Sequence, residues 1–173
     1  FITRYIKDLD VLRKPKKQGR LTTGNRRVVR PRAPPANYAK IHVDAGTRGQ
    51  IGGSAAAICR DSQGSYLGSS ALVIAGVWDP ATLEAIACRE AVALAEDLNQ
   101  PSYIVASDCK QVVEDLSKGS QGQYGAIIRE IRSRVTPTSK FTFEGREANV
   151  EAHKLVKFAL SLLPGRHVWL GQP

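Results

Sequence analysis

The chain has 173 residues, 42% of them hydrophobic, and a formal net charge of +9. That is enough for one domain with an extension, while the lack of any run near ~18 apolar residues or of a secretory signal argues against a membrane or exported protein. Three cysteines, Cys59, Cys88 and Cys109, with no C-x-x-C pair, argue against a zinc site or disulfide framework and favour small buried residues in an intracellular compartment, cytoplasmic or nuclear.

The charge is uneven along the chain. Residues 1–40 hold 12 Lys/Arg against Asp8 and Asp10, and the remainder is close to neutral. A basic leader over 1–37 is therefore expected, suited to a polyanion or serving as a solvated linker. Phe1, Ile2, Tyr5, Ile6, Leu9 and Leu12 predict a short helix at its start, and the prolines and scattered cations of 13–37 predict an extended stretch after it. The first residue, Phe1, and the lack of methionine suggest an excised piece of a longer polyprotein or a processed form, with a monomeric domain as the default expectation.

The folded domain is expected over 38–163, with 164–173 as a tail. Ile41 and Val43 alternate with His42 and Asp44, which is a strand pattern. Ser54–Cys59 and Tyr66–Ala75 predict two more strands, joined by a loop at Asp61–Gly64. Asp79-Pro80 is a helix start, followed by Leu83, Ala87, Ala91, Leu94 and Leu98 at helical spacing. A fourth strand runs through Ile104 and Val105, with helices over Lys110–Ser117 and about Gly125–Arg134. Phe141 and Phe143 mark a fifth strand, and a last helix from near Glu147 carries Ala152, Leu155, Val156, Ala159 and Leu163 on one face. A three-strand meander followed by strand–helix alternation predicts an α/β fold: a five-stranded mixed sheet with helices on both faces.

Three acids fall at the ends or faces of these elements. Asp44 sits on the first strand, Glu84 on the first long helix, and Asp108 just past the fourth strand. Converging carboxylates are what hard divalent cations require. Each acid has a plainer reading alone: Asp44 as a strand end, Glu84 as a solvated charge with Glu90 as its rival, and Asp108 as a helix cap.

Four segments together carry a resemblance: Lys40-Ile-His-Val-Asp-Ala-Gly46, Leu83-Glu-Ala through Ala95, Ala106-Ser-Asp-Cys through Val113, and Arg146-Glu-Ala-Asn-Val-Glu-Ala-His153. The chain resembles the type 1 ribonuclease H domain, in the version attached to plant retroelement reverse transcriptases. That resemblance implies a ribonuclease H-like fold and an endoribonuclease that cuts the RNA strand of RNA–DNA hybrids. It implies Asp44, Glu84 and Asp108 as metal ligands and catalytic residues, with Mg²⁺, or Mn²⁺ in its place, acting as a two-ion centre. Gly46, Thr47 and Asn149 are expected to contact nucleic acid, and Arg26, Arg27 and Arg30 of the leader to meet phosphates.

The sequence departs from the family pattern at two points. The family's usual fourth acid lies four residues after the last helix's asparagine, and here that position is His153, beside Asn149 on one helix face. His153 is expected to act as the fourth catalytic residue, the plainer alternative being a surface histidine. The loop Phe141–Arg146 also lacks the histidine that the family often carries there. Both departures keep open a catalytically weak nucleic-acid-binding module, and a protein-interaction scaffold as a more distant alternative.

Overall fold

A computed structural model describes residues 31–171. The helix expected over 1–17 and the arginines Arg26, Arg27 and Arg30 lie outside the described residues. Strand β1, Ala39–Arg48, takes the centre of the sheet. Its alternation separates two faces: Ile41 and Val43 are fully buried on one, and Lys40, His42 and Asp44 lie on the other. Strands β2, Gly52–Arg60, and β3, Tyr66–Ala75, complete the antiparallel meander. Strand β4, Tyr103–Ser107, runs parallel to β1, and β5, Lys140–Phe143, runs parallel to β4.

The sheet has six strands, in the order β5-β4-β1-β2-β3-β6, where the sequence predicts five. The added strand β6, Gly165–Leu170, lies antiparallel to β3 in the stretch expected to be a tail. It is an edge strand with largely exposed side chains, so it carries no clear apolar alternation. Distant partners hold it in place. Trp169 packs beside Phe158, Tyr66 Oη donates to the Trp169 carbonyl at 3.0 Å, and Arg166 pairs with Glu90 and Asp97.

Helix α1, Pro80–Asp97, starts as the sequence predicts, with the Asp79 carboxylate accepting from Thr82 N–H at 2.8 Å. Its small residues Ala87, Ala91 and Ala95 let it lie close on the sheet, where it shares the main core with α2, Lys110–Lys118, and α3, Gly125–Arg134. Among the described residues, α4, Val150–Ala159, is the one helix on the opposite face, over Ala56, Ile58 and Ala71. It is shorter at both ends than the expected span from Glu147 to Leu163. Turns at Gly145–Asn149 precede it, and Leu163 is 80% exposed beyond it. No helix among the described residues is long and apolar enough to cross a membrane.

Candidate metal centre

Strand register brings two of the acids together. His42 pairs with Ala106 in the parallel β1–β4 ladder, so Asp44 and Asp108 each stand two residues beyond the last matched pair. The two strands part there, at the carboxyl end of β4, while β1 runs on beside β2 to Arg48; the carboxyl ends of parallel strands are where α/β sheets open a crevice. Glu84, on α1, reaches the same opening. One oxygen from each of Asp44, Glu84 and Asp108 lies within 4.8 Å of the others.

The burial of these acids is uneven and their mutual repulsion is strong. Burial and the charges of Asp108 and Asp44 push the Glu84 carboxyl up to about 8. Asp44 is also raised, first by burial and then by Asp108, with the His153 hydrogen bond working against the rise. Glu84 Oε2 is buried without a hydrogen-bond partner. A buried, unpaired carboxylate oxygen among like charges is a site short of positive charge. The donor set is all oxygen, which fits hard divalent cations and gives thiophilic metals no thiolate.

The structure bears on two of the plainer readings. Cys109, not Asp108, is the residue that precedes α2 as its cap, and an Asp108 oxygen lies with those of Asp44 and Glu84. Glu90, the rival of Glu84, points away and receives a hydrogen bond from Arg166 at 2.7 Å.

His153 stands beside the cluster. Its Nδ1 lies 2.8 Å from Asp44 Oδ2. An ionised carboxylate only accepts, so the Nδ1–H of the His153 ring, whose side chain is 41% exposed, is the donor in this pair. Asn149 is buried, and its Nδ2 donates to the Val43 carbonyl at 2.6 Å. Gly46 lies under α4, where an added Cβ would come within 2.6 Å of Val156 Cγ1. Thr47 is exposed near the end of β1. Asn149 and Gly46 thus have evident packing duties, and Thr47 is open to a ligand.

Sequence reasoning misses two neighbours of the cluster. Arg146 is 81% exposed in its side chain, and its Nε reaches Asp108 Oδ2 at 3.4 Å. Glu144 is held by Lys40, with His42 Nε2 at 3.4 Å from its second oxygen. Arg146 was visible as a cation three residues before Asn149, but nothing local marks it as a neighbour of Asp108.

The profile of a family described as reverse transcriptase-like matches residues 42–159. No curated protein matches the chain. Among solved structures, the RNase H1 of the halophilic archaeon Halobacterium salinarum NRC-1 superposes with a TM-score of 0.63 at 17% identity, over 71% of this chain and 97% of that one. An RNase H1 isolated from compost, solved in complex with an RNA/DNA hybrid, gives 0.60 at 20% identity over 71% of this chain and 99% of that one. The prototype foamy virus protease-reverse transcriptase gives 0.60 at 14% identity, over 77% of this chain and 22% of that one. At these identities the likeness is one of fold.

Proposed function

We propose, from the premise that this chain belongs to the reverse-transcriptase-like family of ribonuclease H-like domains, that it is a divalent-metal-dependent endoribonuclease hydrolysing the RNA strand of RNA–DNA hybrids. The observation that carries the reading is the convergence of Asp44, Glu84 and Asp108 within 4.8 Å, with a buried Glu84 oxygen left unpaired. These three residues would hold the cations, Mg²⁺ or Mn²⁺. When bound, the ions supply activation of a water and charge stabilisation at the leaving oxygen of an in-line displacement.

The chain's own groups do the remainder. The Asp44 carboxylate would orient the His153 ring through Nδ1, and in the neutral ring Nε2 would then accept a hydrogen bond from the attacking water. The exposed Arg146 guanidinium stands where it can take up a phosphate oxygen as well as Asp108. Thr47 offers a hydroxyl at the rim, while Gly46 and Asn149 place the backbone that a hybrid would meet. Recognition would rest on 2′-hydroxyls, phosphates and minor-groove shape, with Arg26, Arg27 and Arg30 adding salt-sensitive phosphate contacts. The motifs favour an origin in a retroelement, of the plant type.

One observation favours a second reading. Among the described residues the acidic cluster has three members, and the fourth position is a histidine, a weaker partner for Mg²⁺ than a carboxylate. A module that binds hybrid and cuts it slowly or not at all fits that arrangement. The test is a labelled RNA–DNA hybrid in Mg²⁺ and in Mn²⁺, with duplex DNA and Asp44→Asn as controls. Cutting of the RNA strand by the parent alone supports the enzyme. Binding without cutting by a folded parent sinks it in favour of the module.

A further inference from the structure

We infer that Glu144 is a positioning residue, which clamps the segment Glu144–Asn149 to β1 and so sets where α4 delivers His153 against Asp44. The inference rests on the reading of Asp44 and His153 as site residues. It goes beyond that reading by assigning a task to a buried polar cluster outside the acidic site.

The clamp is built on the polar face of β1. Lys40 and His42 precede Asp44 on that face and are 5% and 7% exposed. Lys40 Nζ donates to Glu144 Oε1 and, at 2.6 Å, to the Arg32 carbonyl. His42 Nε2 sits 3.4 Å from Glu144 Oε2 without a hydrogen bond between them, so the Lys40 contact is the bond that holds the carboxylate. The Glu144 backbone N–H donates to the Ser107 carbonyl at 2.9 Å. At the far end of the segment, Asn149 Nδ2 donates to the Val43 carbonyl at 2.6 Å.

Both backbone anchors adjoin an acid of the cluster: Ser107 precedes Asp108, and Val43 precedes Asp44. The segment is therefore fixed at both ends against the two strands that carry the acids. Arg146 hangs over Asp108 from its middle, and the Asn149 carbonyl accepts from His153 N–H at 3.1 Å as α4 begins. A shift at Glu144 would pass along this short segment to the His153 ring. Burying an ammonium and a carboxylate is a poor way to gain stability, since an apolar pair of like volume commonly does as well. What the ion pair adds is a directed contact that fixes one placement of the segment.

The test uses the whole chain, metal-free, in two variants: Glu144→Gln, and the apolar pair Lys40→Met with Glu144→Leu. Nitrogen-edited NMR follows the His153 Nδ1–H resonance, and hydrogen exchange follows the amides of Asn149 and His153. In both variants the resonance is expected to be lost and those two amides to exchange on the order of 10-fold faster, with Ile41 and Val105 unchanged. On a hybrid, kcat is expected to fall on the order of 10- to 100-fold with KM unchanged, and the Glu144 substitution to have no further effect in a His153→Ala background. An unchanged resonance and unchanged exchange in either folded variant overturn the inference, whatever the activity. Unfolding of both variants would assign the cluster to stability alone and overturn it too. If the parent does not cut hybrid, the nuclease reading falls, while the resonance and exchange still decide the clamp.

Discussion

His153 Nδ1 lies 2.8 Å from Asp44 Oδ2, so the histidine at the fourth position is joined to the least solvent-exposed acid of the cluster. That bond works against the upward push on Asp44 from burial and from Asp108. His153→Ala removes it and leaves Asp44 harder to ionise. The variant is expected to need more metal for half-maximal activity and to lose on the order of 100-fold in kcat. His153→Asp restores a fourth carboxylate and is expected to keep or raise activity in Mg²⁺. Metal titrations of hybrid cleavage with the three proteins check this, and an alanine variant equal to the parent would return His153 to the status of a surface residue.

Glu84 makes the metal-free protein sensitive to alkali. Its carboxyl ionises near 4.5 in an unfolded chain and at about 8 in the fold, because of burial and the charges of Asp108 and Asp44. Between those values the folded state binds more protons than the unfolded state, so stability falls as pH rises through the window and the full penalty holds above it. In chelator, the parent is expected to melt lower at pH 9 than at pH 6, with a smaller difference in Glu84→Gln. Adding Mn²⁺ or Mg²⁺ is expected to raise the parent's melting temperature, most at the higher pH, where no proton must leave for the cation to bind. Thermal melts across pH, with and without metal, decide it, and a melting temperature blind to cations at pH 9 would count against a metal site.

Much of this was legible because it is local. The alternation of Ile41 and Val43 with His42 and Asp44 gave β1, and Asp79-Pro80 gave the start of α1. The acids could be ordered along the chain, and the family resemblance chose Glu84 over Glu90. What stayed hidden depends on partners far away in sequence. Strand β6 is held by Tyr66 on the Trp169 carbonyl and by Arg166 on Glu90, contacts that no window of neighbouring residues contains. Nothing local marks Glu144, because Lys40, its partner, lies 104 residues earlier. The end of α4 was overread because Leu163 continues the apolar spacing beyond Leu160, where the chain has already turned.

Gly46 is expected to tolerate no side chain. A Cβ there would meet Val156 Cγ1 at 2.6 Å, and a β-branched side chain on a packed helix has little room to yield. Gly46→Ala should cost about 1–3 kcal/mol through overpacking. The same substitution should cost less in a Val156→Ala background, because the clash is then removed. Urea denaturation of the four proteins in that cycle measures the coupling, and additive costs would mean that α4 does not rest on Gly46.

Arg166 is expected to be what makes β6 part of the domain. Its Nε donates to Glu90 at 2.7 Å and its Nη2 to Asp97 at 2.6 Å. Glu90 is 4% exposed, so losing the arginine leaves a carboxylate buried in α1 without its cation. Arg166→Ala should therefore cost about 2–3 kcal/mol, more than an exposed ion pair returns. Glu90→Gln in the same background should recover part of that loss, since a neutral amide is less costly to bury unpaired than a charge. Denaturant midpoints of the single and double variants check the sign and the order. If Arg166→Ala were as stable as the parent, β6 would be an ornament on the sheet's edge, and its removal would leave α1 and Glu84 where they are.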